Sequence, residues 1–137
     1  MVDRNKSLME KTMQNKPHGF GELTPYFTVT DADHFITFVS EVFAAKIVKD
    51  SRYEDGTVQH ARLQIGDSLI MLNQADETYA AMQMQMHLYV ANVDRSFASA
   101  ISKGATSIMK PMLRPHGDKM AGFCDPMDNI WWVAQAA

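Results

Sequence analysis

The sequence predicts an α+β fold: two tandem βαβββ modules that form a curved mixed sheet with the helices on its convex face. Three observations predict it. The order strand, helix, three strands occurs twice along the chain. The two copies superpose with one common shift of about sixty-one positions, matching Val29 to Val90, Asp33 to Asp94 and Ala44 to Ala105. The strands also alternate with period two, whereas the segments between them carry apolar residues at helical spacing.

Taken in order, residues 1–20 are polar and form an arm outside the core, with a weak helix near Leu8–Met13. Residues 21–137 make a single domain, module one over 23–75 and module two over 82–135. Pro25–Val29 is a first strand, with proline tolerated at its start. Asp31 opens a helix in which Phe35, Phe38, Val39, Val42 and Phe43 form one apolar stripe, and Asp31 or Asp33 can cap it. Lys46–Tyr53 is a strand, Glu54–Gly56 a turn, and Val58–Ile65 and Ser68–Asn73 a hairpin closed by Gly66-Asp67.

Met82–Val90 opens module two as a strand. Asp94 starts the second helix, with Phe97, Ala98, Ala100 and Ile101 inward, and Lys103-Gly104 stops it. Thr106–Met109 is a strand and Pro111–Lys119 a loop. Met120–Cys124 and Ile130–Ala134 form a last hairpin around Asp125–Asn129.

Composition removes several function classes. The chain has 137 residues and a formal charge of −3, so it lacks the basic face that nucleic acid requires. The only local basic cluster is Lys110, Arg114 and Lys119, better suited to an anionic ligand. Residues 1–16 contain no continuous apolar run, so neither a signal peptide nor a membrane span is expected. The single cysteine, Cys124, cannot pair internally, which points to a reducing, cytoplasmic setting and excludes a cysteine-based zinc site. Neither a nucleophile elbow nor a phosphate-cradling glycine loop is present. The 11 methionines suit adaptable packing.

Each helix must cover one face of its sheet, so the other face curves into a cup. Alternation sorts the side chains. Thr24, Tyr26 and Thr28 face the cup in the first strand. Pairing across the Gly66-Asp67 hairpin sets Arg62 opposite Met71 and His60 opposite Asn73, and adds Gln64 and Leu69 to that face. In module two, Gln85, His87 and Tyr89 line the cup, and so does Trp132 by its match to Met71. Such a face, aromatic yet dotted with directed polar groups, resembles a ligand site, although a sheet face meeting solvent or a partner subunit would read the same way.

Four segments carry a family resemblance: Leu23–Val29, His60–Ser68, His87–Val90 and Asp125–Trp132. Together they resemble the vicinal oxygen chelate (glyoxalase/bleomycin resistance/dioxygenase) superfamily. They are most similar to its bacterial glyoxalase-like branch, which has a TPYLTV start and a DPFGNxWW end. The resemblance covers about Leu23 to Gln135, and the order and spacing of the motifs carry it. It implies a paired βαβββ fold, often dimeric, with a cup-shaped site, so a homodimer is expected. It leaves open whether the modules pair within a chain or swap between subunits.

In metal-dependent members four ligands, two His and two Glu in glyoxalase I, occupy equivalent places in the modules. The resemblance carries those places onto Thr24, Met71, Gln85 and Trp132. None is an imidazole or a carboxylate, so neither metal nor other cofactor is expected. A shifted site on His60 and His87 would lack a third ligand. Asp128 stands where the family turn has glycine, and His116-Gly117-Asp118-Lys119 resembles a W-G-D-R segment that closes over the cup.

The candidate ligand-binding residues are therefore Tyr26, His60, Arg62, Met71, Asn73, Gln85, His87 and Trp132. His60 and His87 are either general bases or hydrogen-bonded wall residues. Arg62 either grips an acidic group or pairs with a local carboxylate. Trp132 either stacks a planar ligand or packs in an interface, whereas Trp131, of opposite parity, belongs to the core. Three functions follow. The first is a metal-free protein that sequesters a planar or aromatic small molecule. The second is a glyoxalase-like lyase or isomerase using a shifted metal site or a histidine base. The third is an interaction module whose sheet face is filled by its own arm or a second subunit.

Overall fold

The computed structural model describes residues 16–137. The expected helix near Leu8–Met13 lies outside the described residues. Module one consists of β1 (Tyr26–Val29), α1 (Ala32–Phe43), β2 (Lys46–Arg52), β3 (Val58–Ile65) and β4 (Ser68–Gln74). Module two repeats the order with β5 (Gln85–Tyr89), α2 (Val93–Ser102), β6 (Thr106–Leu113), β7 (Lys119–Cys124) and β8 (Ile130–Gln135). Each module is a four-stranded mixed sheet, ordered β1-β4-β3-β2 and β5-β8-β7-β6. The first strand of each runs parallel to the last, and the remaining pairs are antiparallel. This is the tandem βαβββ arrangement that the internal repeat implied.

The helix boundaries follow local chemistry. Asp31, not Asp33, caps α1 by accepting from the His34 amide at 3.0 Å. Asp33 is left free to take Arg52 in a fork, 2.7 and 3.1 Å, which ties the start of α1 to β2 and holds the Asp33 carboxyl below its ordinary range. Asn92, not Asp94, caps α2 through the Arg95 amide at 3.0 Å. Asp94 instead pairs with Lys119. The basic cluster Lys110, Arg114 and Lys119 is thereby split. Lys119 is committed to the helix, and Arg114 turns its guanidinium toward the sulfurs of Met109 and Met112.

The edges depart most from the sequence expectation. β6 runs on to Leu113 and carries Pro111 inside it, which only an edge strand allows. Two register shifts break its pairing with β7, and two more break β2 against β3. Bulges of this kind blunt exposed edges against further pairing.

The buried faces of both sheets meet in one core. Phe27 of β1 stacks on Trp131 of β8 at 5.8 Å between ring centres, and Phe43 of α1 leans on the same indole at 4.9 Å. Phe38 and Phe43 also touch Phe123 of β7. Fully burying a large apolar side chain is worth about 2–3 kcal/mol. These rings therefore clamp the modules together through their helix-bearing faces.

Such clamping has a consequence: it consumes the helix-bearing faces and leaves the two remaining faces, where the cup residues lie, outside the shared core. Near the module junction, the end of α1, the β3–β4 turn and β5 leave a cleft of about 490 Å³ that His87 and Tyr89 reach.

Candidate functional site

The open face of module one is built of cross-strand rows. Lys49 of β2 stands opposite Arg62 of β3, Arg62 opposite Met71 of β4, and Met71 beside Tyr26 of β1. The neighbouring row sets Ser51 opposite His60, and Asn73 beside Thr28. Thr28 donates its hydroxyl to Asn73 Oδ1 at 2.7 Å. Lys49, Ser51, Tyr53, His60, Tyr26 and Tyr79 border a hollow of about 650 Å³ on this face.

The hydrogen bonds fix the state of His60. Arg62 Nε lies 3.4 Å from His60 Nε2, and Tyr26 Oη 3.3 Å from His60 Nδ1. A guanidinium can only donate, so Nε2 must accept and Nδ1 must carry the proton. Nδ1–H then donates to Tyr26 Oη, and the phenol hydrogen is free to point at a ligand. Burial pushes the His60 imidazole below its ordinary value, and the charges of Arg62 and Lys49 push it further. Burial, followed by the neighbouring phenols of Tyr79 and Tyr53, raises Tyr26, so it stays a neutral donor.

The end of the arm also takes part. The Phe20 ring covers the Arg62 guanidinium at 5.2 Å, a cation–π contact that orients the fork. Residues 16–20, expected to stand apart from the core, thus reach the open face.

Module two presents different chemistry. Trp132 of β8 pairs in register with His87 of β5 on one side and Gly122 of β7 on the other. Its indole lies flat on Gly122: a Cβ there would sit 2.6 Å from Trp132 Cε3 and nearer still to Cζ3. Its Nε1–H donates to Gln85 Oε1 at 2.8 Å. The ring is thus fixed from below and from its edge, with its outer face half-exposed. Met109 continues the row beyond Gly122, and Met112 stands opposite Met120 in the next. His87 meets Tyr89 edge-on at 4.9 Å.

The turn behind Trp132 shows why the indole is so well placed. Asp125 accepts from the amides of Met127 and Asn129 and from Trp131 Nε1, at 2.8, 3.0 and 2.8 Å. Burial pushes its carboxyl up, and these donors pull against that. Asp128 adopts φ 67°, the left-handed conformation that glycine would take without strain. Trp131 is anchored inward as the sequence predicted, and Trp132 must face out. Cys124 is half-buried, and burial with the nearby Asp128 and Asp125 carboxylates raises its thiol, which leaves it inert.

A model of the glyoxalase/bleomycin resistance protein/dioxygenase superfamily matches residues 19–133. The chain belongs to the glyoxalase/bleomycin resistance protein/dioxygenase superfamily. Among curated relatives, an uncharacterised protein of Mycobacterium bovis is 27% identical over 124 residues, covering 82% of each chain. An uncharacterised protein of Mycobacterium tuberculosis matches equally well over 82% of this chain and 73% of its own. Solved structures agree on the fold. TioX from Micromonospora sp. ML1 has a TM-score of 0.72 at 21% identity, over 84% of this chain and 98% of that one. The fosfomycin resistance protein FosX from Mesorhizobium loti scores 0.63 at 18%, over 85% and 92%. Glyoxalase I from Zea mays scores 0.65 at 19%, over 84% of this chain and 44% of that one.

At the four positions where the resemblance implies the superfamily's metal ligands, the side chains present are a poor fit to such an ion. A thioether at Met71, a hydroxyl at Thr24 and an amide at Gln85 are weak donors to zinc, nickel or iron, and an indole at Trp132 is none. Gln85 Oε1, the best of them, already accepts from Trp132. Among the described residues no three of His, Cys, Asp and Glu gather into a metal-sized group, and His60 and His87 stand on different sheets.

Of the eight residues expected to line one cup, five therefore share module one (Tyr26, His60, Arg62, Met71 and Asn73). Gln85, His87 and Trp132 share module two, on a separate sheet. Sequence reasoning missed Lys49, Gly122 and Phe20. A glycine inside a strand does signal close approach of another group, so Gly122 was open to discovery. Lys49 was hidden by the bulge in β2, which breaks period-two counting.

Proposed function

We propose that this protein is a metal-independent small-molecule binder that holds a planar aromatic ligand against Trp132, in a cup completed by the module-one face of a second copy. The observation that carries the first part is the Trp132 indole itself, laid on Gly122 and tied by Gln85 so that one π-face is preorganised for stacking. It stands where the family resemblance implies a metal ligand, and an indole with a thioether, a hydroxyl and an amide is a poor donor set for zinc, nickel or iron. The two separate sheets, joined through their helix-bearing faces, support the second part, because neither open face alone encloses a ligand. A C2 dimer would bring module one of one copy against module two of its partner, twice.

The lyase or isomerase alternative gains little from the geometry. His60 Nε2, the lone pair a base would use, accepts from Arg62. Trp131 is buried, so fluorescence quenching by ligands reports on Trp132. Titration with a panel of planar aromatics is expected to quench saturably, and Trp132→Leu to abolish the response. Quenching that Trp132→Leu leaves intact, or stoichiometric nickel, zinc or iron in the purified protein, would overturn the proposal.

A further inference from the structure

We infer that the Lys49–Arg62 pair on module one forms a subsite for an oxyanion, so that the ligand is an aromatic compound bearing a carboxylate or phosphonate group. This rests on the Trp132 stacking proposed above and adds the other end of the ligand.

Two cations directly opposite each other on neighbouring strands repel. Proteins ordinarily relieve such a contact with a carboxylate. Arg52, Lys103 and Lys119 each have one within 4.0 Å. Among the described residues, neither Lys49 nor Arg62 pairs with a carboxylate. The strand residues of this face supply none: the rows carry Lys49, Ser51, His60, Arg62, Met71, Asn73, Thr28 and Tyr26. Asp76 borders the hollow, but its Oδ1 accepts from the amides of Thr78 and Tyr79, and among the described residues no lysine or arginine pairs with it.

The donors are also aimed. Arg62 spends Nε on His60 and has its plane held by Phe20, which leaves its two outer nitrogens as a fork. Tyr26 accepts from His60 Nδ1 and so offers its own hydrogen. His60 is held neutral beside both cations, so it adds no third charge and serves to orient Arg62 and Tyr26. Lys49 and Tyr26 border the 650 Å³ hollow, and the Arg62 fork adjoins it through its bond to His60, which lines it. An ammonium, a phenol hydrogen and a fork so grouped match an anion with two or three acceptor oxygens. An oxyanion seated there removes the repulsion that the unliganded face bears.

The test uses 2-naphthoate and its neutral isostere 2-naphthamide, read by Trp132 quenching, together with inorganic phosphate read by the His60 ring signals in NMR. Naphthoate is expected to bind at least about tenfold more tightly than naphthamide. Arg62→Gln and, independently, Lys49→Gln should shrink that ratio to about twofold or less while naphthamide affinity holds. Equal binding of the two compounds, or an unchanged ratio in both variants, overturns the oxyanion subsite and leaves the stacking proposal standing. If neither compound quenches Trp132, the stacking proposal fails and phosphate decides alone. A saturable His60 shift lost in Arg62→Gln keeps the subsite, and no shift overturns it.

Discussion

Single side chains govern the chemistry of both faces, and two of them make sharp tests. Gly122 is there because the Trp132 ring occupies the space a Cβ would need. Gly122→Val should lift the indole off the sheet and break its bond to Gln85. The fold should survive, since the displaced ring sits on an open face. The expected result is a red-shifted Trp132 emission and at least about tenfold weaker quenching by aromatic ligands, with a far-UV circular dichroism spectrum like that of the parent protein. His60 gives a test in pH. Burial, Arg62 and Lys49 lower its folded value below the ordinary 6.5, so the unfolded chain binds the proton more readily. Its contribution to stability is therefore intact above about pH 6.5 and is lost as pH falls from there through the lowered folded value. Urea midpoints of wild type and His60→Gln should accordingly converge on acidification, with wild type losing more between pH 7.5 and 5. An NMR titration of His60 ending above 6.5 would contradict this. Most of these residues were readable by strand parity, Arg62 opposite Met71 among them. Their hydrogen-bond roles were not, because tautomer and donor direction depend on which neighbour arrives from another strand.

At the level of elements, caps and turns explain what period counting could and could not locate. Helix α1 stops at Ala44, which takes φ 55° without the freedom of glycine. The left-handed conformation costs an ordinary residue about 1–2 kcal/mol, and glycine gives back roughly 0.4–1 kcal/mol through the unfolded chain. Ala44→Gly should thus stabilise the protein by roughly 0.5–1 kcal/mol, raising the thermal midpoint by about 2–4 °C. Asp128→Gly should gain less, because aspartate tolerates φ 67° better than alanine tolerates its own. Differential scanning calorimetry decides both, and a lower midpoint for Ala44→Gly would show that the helix end is held by something other than its local conformation. The amphipathic stripe of α1 and the Gly66-Asp67 hairpin were legible because both depend on neighbours in sequence. The caps were less so: Asn92 starts α2 while Asp94 answers a lysine from β7. Edge strands were the least legible, since the bulges in β2 and β6 and the extension of β6 through Pro111 answer exposure on the sheet edge rather than any local pattern.

For the whole molecule, the decisive fact is which faces the core consumes. The tandem repeat announced two equivalent sheets, but nothing in period or spacing told which face of one would meet the other; that choice belongs to Phe27, Phe43, Phe123 and Trp131 packing across the module boundary. With the helix-bearing faces clamped together, the cup proposed above pairs the basic face of one chain with the aromatic face of another. A mixing experiment tests this directly. Arg62→Gln cripples module one and Trp132→Leu cripples module two, so each homodimer carries two defective cups. A dimer of one with the other pairs the two lesions in one cup and leaves the second cup intact. Equal amounts of the two variants, unfolded and refolded together, should form about half mixed dimers by random association, and so recover about a quarter of the wild-type 2-naphthoate sites. Sedimentation should show every sample at twice the chain mass. Were the cup built within one chain, every cup in the mixture would still carry one of the two lesions and no tight sites would return. Recovery near a quarter therefore requires that each cup draw Arg62 and Trp132 from different copies.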